Sequence, residues 1–550
     1  MVLFALASAL VYQAWALGIT VDEPSHLLSA ALYWRGADNL RPQDMPPLIK
    51  IVGGWVPHLL DPPIPFDNSE LWATQHEWPI SREMIQRMQP AHLQRLIFLS
   101  RLPLILFPLL TTLLLWRWAR NLFIPAVGVL LAVIYAIEPT ALGHGALFKN
   151  DIAATLAYLA FWYAAWRFWK EPGLHAAGWL GASLLLAITT KLSLLILAPV
   201  APALVLLRHL RGAWNRRACL AQIFLVLTIP YLGVITAYKF DAVRIRKSEL
   251  RALAANQAAP KAMLTAANLF RLLPVPRPMW NGVHSVLAAN ARDNPVYFLG
   301  RIEPNGHPMY FLTALAVKSP TPVLLLLLTG IALTAWSIRK GRFDARNLFW
   351  LGPPILYIGL ASAASLQLGI RLILPALPFG LLIAGVSVRR MLDHRASTAV
   401  LACLLLWLAI QSAAFYPRGI SFFNLPSGGP DRALHYLADS NLDWGQDLPA
   451  LAALVRRNEI SSIRLSYFGG DNPYRLLPEQ QLEVVPPPWS PHLAMGPHLK
   501  VQPGRYYAVS ANLLPGHFFA PEYRDYYRPL RKLKPIAKAG YSIYIYRVPE

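Results

Sequence analysis

Apolar runs of about 17 to 25 residues recur along this chain, the length an α-helix needs to cross a bilayer. They lie near residues 2–17, 96–116, 122–137, 152–168, 174–188, 192–207, 220–238, 322–336, 348–366, 372–388 and 399–415. Only 15% of the 550 residues are charged, against the ~25% usual for soluble domains. The expected fold is a polytopic α-helical membrane protein, with about eleven spans by the ~20-residue rule.

The placement of charge gives an orientation and accounts for a net charge of +22. Alternate connections carry Arg117 and Arg120; Arg167 and Lys170; Arg208, Arg211, Arg216 and Arg217; Arg339, Lys340, Arg342 and Arg346; and Arg389, Arg390 and Arg395. The short loops between them hold only Lys149, Lys191 and Arg371. Lys and Arg gather in cytoplasmic loops, so the N-terminus is expected inside and the intervening loops outside. A nucleic-acid partner is not expected, because it would call for basic residues on one soluble face. The first run lacks a basic flank, which makes it a poor signal peptide and fits a few cytoplasmic residues missing before Met1. Cys219 and Cys403 lie far apart in apolar runs without metal-ligand spacing, so neither a disulfide nor thiol chemistry is expected.

Residues 1–415 are read as the membrane domain, with external loops at about 20–95 and 239–309. The first loop is rich in Pro, Trp and His. Its Trp34, Trp55, Trp72 and Trp78 suit a headgroup belt. The second begins basic, with Lys239, Arg244, Arg246, Lys247 and Arg251, and later holds Trp280, His284, Arg292 and Asp293. Residues 416–550 have the composition of a small soluble α/β domain outside the membrane. A helix is expected over 431–457 and strands over 463–468, 506–511 and 541–547.

The stretch TVDEPSHLLSAALYWRGADNLRPQDMPPLIK, residues 20–50, follows a run without charge and opens on two carboxylates, Asp22 and Glu23. If Asp22 starts a helix, His26 shares its face while Glu23 points about 100° away. One acid then faces a cleft and the other is structural or a partner. A plain N-cap explains part of the pattern, with Thr20 or Asp22 as cap and Glu23 and Pro24 in the first turn. Asp151, in GHGALFKND, stands at the border of another apolar run, where acids are uncommon and tend to be functional; a cap by Asn150 or Asp151 is the competing reading. Glu138 and His144 share its external turn. Lys149, Lys191 and Arg371, with Lys50, Arg101 and Arg301 placed more loosely, run against the inside bias. An external phosphate would account for them, as would snorkelling. DSNLDWGQDL, residues 439–448, either contacts a substrate or is a helix cap with surface polar groups, the reading its composition favours.

The opening stretch resembles the first external loop of GT-C class membrane glycosyltransferases, above all the family 39 group of protein O-mannosyltransferases and aminoarabinose transferases. EPTALGHGALFKND, YFLGRIEPNGHPMYFLTALAVKSPTP, GIRLILPALP and DSNLDWGQDL are similar to segments of that group. The resemblance implies a sugar donor linked to polyprenyl phosphate and transfer on the external face of a bacterial inner membrane, to a protein, lipid or glycan acceptor. It makes Asp22 the base on the acceptor and Asp151 a second catalytic acid. Asp44 matches the position two before the Pro46–Pro47 step. Glu23, His26, Asp44, Glu138, His144, Lys149, Lys191 and Arg371 become candidate substrate-binding residues. One departure stands out: aminoarabinose transferases carry Lys directly before that step, and here it is Met45.

A polyprenyl phosphate leaves readily, so one base suffices, unlike the two carboxylates of a glycosidase. Direct displacement would invert the anomeric centre. No metal site or cofactor is expected. Two other readings stay open. A lipid-substrate transporter or flippase would fit paired repeats and mid-membrane charges; no repeat is evident, and most acids sit at the outer border. An assembly factor binding partners through its C-terminal part would leave Asp22 and Asp151 unexplained.

Overall fold

The computed structural model describes residues 1–550 apart from 39, 42, 43, 213, 245, 247, 250–272 and 490–495. Lys247 and Arg251 of the second loop lie outside the described residues. Every apolar run folds as helix, but not every helix is a full span. Among the described residues six helical stretches are long and apolar enough to cross a membrane: Pro90–Leu122, Leu192–Leu210, Arg216–Ala237, Thr321–Arg339, Ile370–Met391 and Arg395–Phe415. A seventh exists if Pro125–Ile137 and Pro139–Gly145, bent by 61°, count as one. The expected eleven is therefore not reached by length and composition. Val2–Ala16 and Leu174–Thr190 are apolar but shorter. Asp151–Lys170 has 20 residues but carries charge at both ends, and Leu348–Ser362 stops after 15. The bend at Pro139 has a local cause, since a proline has no N–H to donate and the residue before it leaves the helical region. Glu138 is extended there, with ψ of 121°.

The long helices pack around one apolar core in which Trp118, Tyr158, Phe161 and Phe379 are buried. The first loop is mostly helical, with Glu23–Arg35, Pro47–Gly53, Trp55–Leu60, Ser69–Ala73 and Glu77–Gln86. It has a core of its own around Leu28, Leu32, Ile80 and Met84. Trp34, Trp55 and Trp78 are exposed, while Trp72 stacks on Phe66. The described part of the second loop forms the helix Arg277–Ala291 and a hairpin, Val296–Phe298 with Arg301–Glu303.

The C-terminal part holds a five-stranded mixed sheet. Its strands are β1 (Ile463–Ser466), β2 (Leu482–Val484), β3 (Tyr506–Ser510), β4 (Ala537–Ala539) and β5 (Ile543–Arg547), in the order β2-β1-β3-β5-β4. β1 runs parallel to β2 and β3, and β5 antiparallel to β3 and β4. All three predicted strands are present. The single helix expected over 431–457 is not. Pro430–His435 and Asp439–Asn441 are short 3-10 turns, and only Leu448–Arg457 is α-helix. Gly445 at φ +92° and Asp439 at φ +61° break the helical path between them.

Helix Asp151–Lys170 spans about 30 Å at 1.5 Å per residue. Asp151 stands at one end, Arg167 and Lys170 at the other. Arg208 donates to Trp169 O at 3.0 Å, so two of the basic connections meet at the end remote from Asp151. The C-terminal part packs on the Asp151 end.

Candidate active site

Glu23 and Arg101 are the anchor. Both side chains are 0% exposed. Arg101 donates to Glu23 Oε1 through Nε at 2.8 Å and to Oε2 through Nη2 at 2.6 Å. Its other N–H groups reach the carbonyls of Ala14, Leu17 and Gly18 at 2.8–3.0 Å, closing the end of the first helix. Glu23 also accepts from Thr20 N, Thr20 Oγ1 and Phe148 N. Burial raises its carboxyl, but Arg101 and these donors outweigh burial and hold it below its ordinary range. Glu23 thus clamps the start of the Glu23–Arg35 helix against residue 148, and Asp22 arrives beside Lys149.

Asp22 is the N-cap residue of that helix, yet its side chain makes no cap hydrogen bond. Its Oδ2 instead accepts from Lys149 Nζ at 2.6 Å, with Arg371 Nη1 at 3.6 Å. Asp151 repeats the pattern at the start of the Asp151–Lys170 helix. Its Oδ1 accepts from Lys191 Nζ at 2.6 Å, and Arg371 Nη1 lies 3.8 Å from Oδ2. That Oδ2 is buried without a hydrogen-bond partner. Neither aspartate caps its helix through its side chain. Arg371 stands between them and joins the two ion pairs into one cluster. Three cations against two carboxylates leave one positive charge.

The cluster forms the polar end of a cavity of about 480 Å³. Asp22, His26, Asp44, Lys149, Asp151, Lys191 and Arg371 all line it. Leu192, Ile196, Leu360, Ala361 and Leu372 give it an apolar wall. Burial raises the Asp22 carboxyl, but Lys149, Arg371 and His26 outweigh burial and hold it at about 2. Burial and Lys149 keep His26 neutral, at about 3; its Nδ1 lies 3.3 Å from Phe148 O. His26 therefore offers a hydrogen bond, not a charge.

Three expected residues do not reach the cavity. Glu23 is sealed behind Arg101. Glu138 accepts from Ala141 N at 2.6 Å and caps the Pro139–Gly145 helix. His144 is buried beside Trp444, ring centroids 5.8 Å apart. Of the looser cations, Arg101 is spent on Glu23, Lys50 pairs with Asp38 at 2.5 Å, and Arg301 is exposed on its hairpin. DSNLDWGQDL, expected as surface, is largely interior: Ser440, Asn441, Asp443, Trp444, Gln446 and Asp447 are at most 1% exposed. Asp443 and Asp447 are met by Gly445 N, Tyr541 N, Ser542 Oγ and Arg418, so composition alone misleads.

Sequence reasoning also missed cavity residues. Glu77, the first residue of the Glu77–Gln86 helix, lines the cavity. Burial, then the nearby Asp44, pushes its carboxyl up to about 8. Tyr357, whose hydroxyl lies 3.3 Å from Ser193 Oγ, and Asn290 also line it. No sequence signal marks them beyond a lone carboxylate in a long loop. Among the described residues, no group of three His, Cys, Asp or Glu is placed to hold a metal.

Residues 93–234 match the family described as dolichyl-phosphate-mannose-protein mannosyltransferase. No match was found among curated proteins. Among solved structures, ArnT from Cupriavidus metallidurans in the apo state is similar at 13% identity and TM-score 0.46, over 99% of this chain and 96% of that one. ArnT bound to undecaprenyl phosphate gives 13% and 0.43, with the same coverage. The apo oligosaccharyltransferase of Archaeoglobus fulgidus gives 13% and 0.38, over 88% of this chain and 64% of that one. Among the described residues the chain is mostly helical with six helices long and apolar enough to cross a membrane, and over residues 93–234 it is similar to the dolichyl-phosphate-mannose-protein mannosyltransferase family.

Proposed function

We propose that the chain moves a sugar from a polyprenyl phosphate carrier to an acceptor hydroxyl on the external face of a bacterial inner membrane, with inversion at the anomeric carbon. The observation that carries this reading is the shared cavity. Asp22 and Asp151 meet there through Arg371, with Lys149 and Lys191 on either side and an apolar wall beside them. The family description supplies the donor class, since it names a sugar carried on a polyprenol phosphate.

The resting ion pairs explain how one site both binds phosphate and supplies a base. Lys149 and Arg371 hold Asp22 ionised but weakly basic. A donor phosphate arriving at the same cations competes for them through charge-assisted hydrogen bonds. Asp22 then loses its counter-charges and becomes a stronger base beside the acceptor hydroxyl. The acceptor oxygen attacks the anomeric carbon, and its proton passes to Asp22. The bond from that carbon to the phosphate oxygen breaks, and polyprenyl phosphate departs into the field of Lys149, Lys191 and Arg371. The Oδ2 of Asp151, which has no hydrogen-bond partner, would accept a hydrogen bond from a sugar hydroxyl. The apolar wall suits the first isoprene units, and the basic ends of the helices would face the cytoplasm.

The test uses the full chain in nanodiscs with undecaprenyl phosphate carrying mannose, glucose or arabinose, plus an extract of cell-envelope acceptors. Release of undecaprenyl phosphate that depends on acceptor and on Asp22 is expected. A folded chain that binds no undecaprenyl phosphate and releases none from any donor would overturn the reading.

A further inference from the structure

The DSNLDWGQDL stretch does not line the cavity, yet it touches the groups that do. The Arg371 guanidinium carbon lies 4.3 Å from the Trp444 ring centroid and Lys149 Nζ 5.3 Å from it. Arg371 Nε donates to Ser440 Oγ at 3.0 Å, and Ser440 in turn donates to Leu368 O. Asn441 Oδ1 accepts from Ile370 N, next to Arg371, at 2.9 Å. The same loop reaches the other side of the site. Val21 N donates to Trp444 O and Gly18 N to Gln446 O, both at 2.9 Å, fixing the backbone that leads into Asp22. The contact is close: at Gly369, φ +105°, a Cβ would lie 2.5 Å from Ser440 Oγ.

The loop itself is braced. Gln446 Oε1 accepts from Trp444 N at 2.7 Å. Lys318 Nζ donates to Asn441 O at 2.5 Å and Ile420 O at 2.7 Å. Asp447 accepts from Ser542 Oγ at 2.9 Å, which ties the loop to the residue just before strand β5. A guanidinium held at Nε and covered by an indole keeps one orientation, with Nη1 turned toward Asp22 and Asp151. A desolvated aromatic face also stabilises the cation it covers.

We propose that Ser440 and Trp444 are positioning residues for transfer: the C-terminal α/β part completes the active site by setting Arg371 and Lys149 at the spacing the phosphate requires. This rests on the function proposed above. The C-terminal part then shapes the donor site from behind its lining residues and is not only a separate module for recruiting acceptors.

The test measures undecaprenyl phosphate affinity and thermal unfolding of the full chain in nanodiscs. Trp444→Leu is expected to weaken binding about tenfold, ~1.4 kcal/mol, while Trp444→Phe, which keeps an aromatic face, stays within about threefold, ~0.7 kcal/mol. Ser440→Ala is expected to weaken binding several-fold and Ser440→Thr to restore it. A folded Trp444→Leu chain with wild-type affinity, or a Phe variant as impaired as the Leu variant, overturns the inference. Should Trp444→Leu fail to fold, the serine pair decides, and an Ala variant with unchanged affinity overturns it. If Arg371→Ala loses binding while both loop variants keep it, only this inference falls. If the wild-type chain binds no undecaprenyl phosphate, the proposed function falls first.

Discussion

Replacing Asp22 by Asn should pull binding and chemistry in opposite directions, because Asp22 holds the cations and, in the function proposed above, accepts the proton. Its carboxyl is held at about 2 against an ordinary 3.8. At 1.36 kcal/mol per pH unit, that is on the order of 2 kcal/mol of attraction to Lys149, Arg371 and His26 net of burial. With its side chain 15% exposed, solvent screens little of this. A donor phosphate displaces part of that attraction when it takes the cations. In Asp22→Asn the attraction is already gone, so undecaprenyl phosphate should bind several-fold tighter, with a ceiling on the order of tens-fold at tenfold per 1.4 kcal/mol. Turnover should fall by ~10²–10⁴, the usual contribution of a general base. Calorimetry with undecaprenyl phosphate gives the first quantity, and acceptor-dependent release of labelled carrier the second. An Asn variant with near-normal turnover removes Asp22 as base. One that binds undecaprenyl phosphate more weakly than wild type refutes the competition for Lys149 and Arg371.

The same geometry yields three further expectations. Arg101→Met leaves Glu23 buried and unpaired, so the folded chain should lose ~3–5 kcal/mol, read as a large drop in unfolding midpoint in detergent; an unchanged midpoint contradicts the anchor role. For pH, a lowered carboxyl keeps its ion-pair stabilisation above 3.8 and loses it as pH falls through about 2. The acid limb of kcat/KM, which reports the free enzyme, should therefore lie below that of kcat, which reports the donor complex; the reverse order would count against unmasking by phosphate. Glu77 has the opposite sign. Its carboxyl stays protonated until about pH 8, where ionisation adds a negative charge to the cavity; undecaprenyl phosphate affinity should fall there in wild type and stay flat in Glu77→Gln.

The membrane class and the helical runs were legible because length and hydropathy are local properties. The two aspartates were legible because each stands where an apolar run meets a polar loop. Span number was not, since the extent of an apolar run does not show where its helix bends or stops, as the 61° bend at Pro139 and the 15-residue Leu348–Ser362 helix do. Glu138 and His144 share a sequence segment with Asp151, but Glu138 caps the Pro139–Gly145 helix and His144 packs beside Trp444. Glu77 carries no pattern at all, and only the folded first loop brings it beside Asp44. The 439–448 stretch shows why composition fails for buried polar groups. Its acids read as surface, yet Asp443 is met by Gly445 N within the stretch and Asp447 by Tyr541 N and Arg418 far outside it, partners whose approach the sequence does not show.

Adjacent acids with opposite fates make the strongest case that the site is built for exchange. Glu23 takes five hydrogen bonds, two from Arg101 and three from Thr20 and Phe148. Every one of these donors is backbone, a local hydroxyl or an arginine with all five N–H groups in use, so no substrate can displace them. Asp22, one residue earlier, is held by Lys149 and Arg371, cations whose positions an arriving phosphate can contest. A chain needing only stability at this turn would saturate both acids alike. Saturating one and leaving the other on exchangeable partners fixes the helix start rigidly while keeping a single carboxylate available for release. That asymmetry ties the proposed chemistry to Asp22 and assigns Glu23 to the scaffold, although the two residues are equivalent in charge and neighbours in sequence.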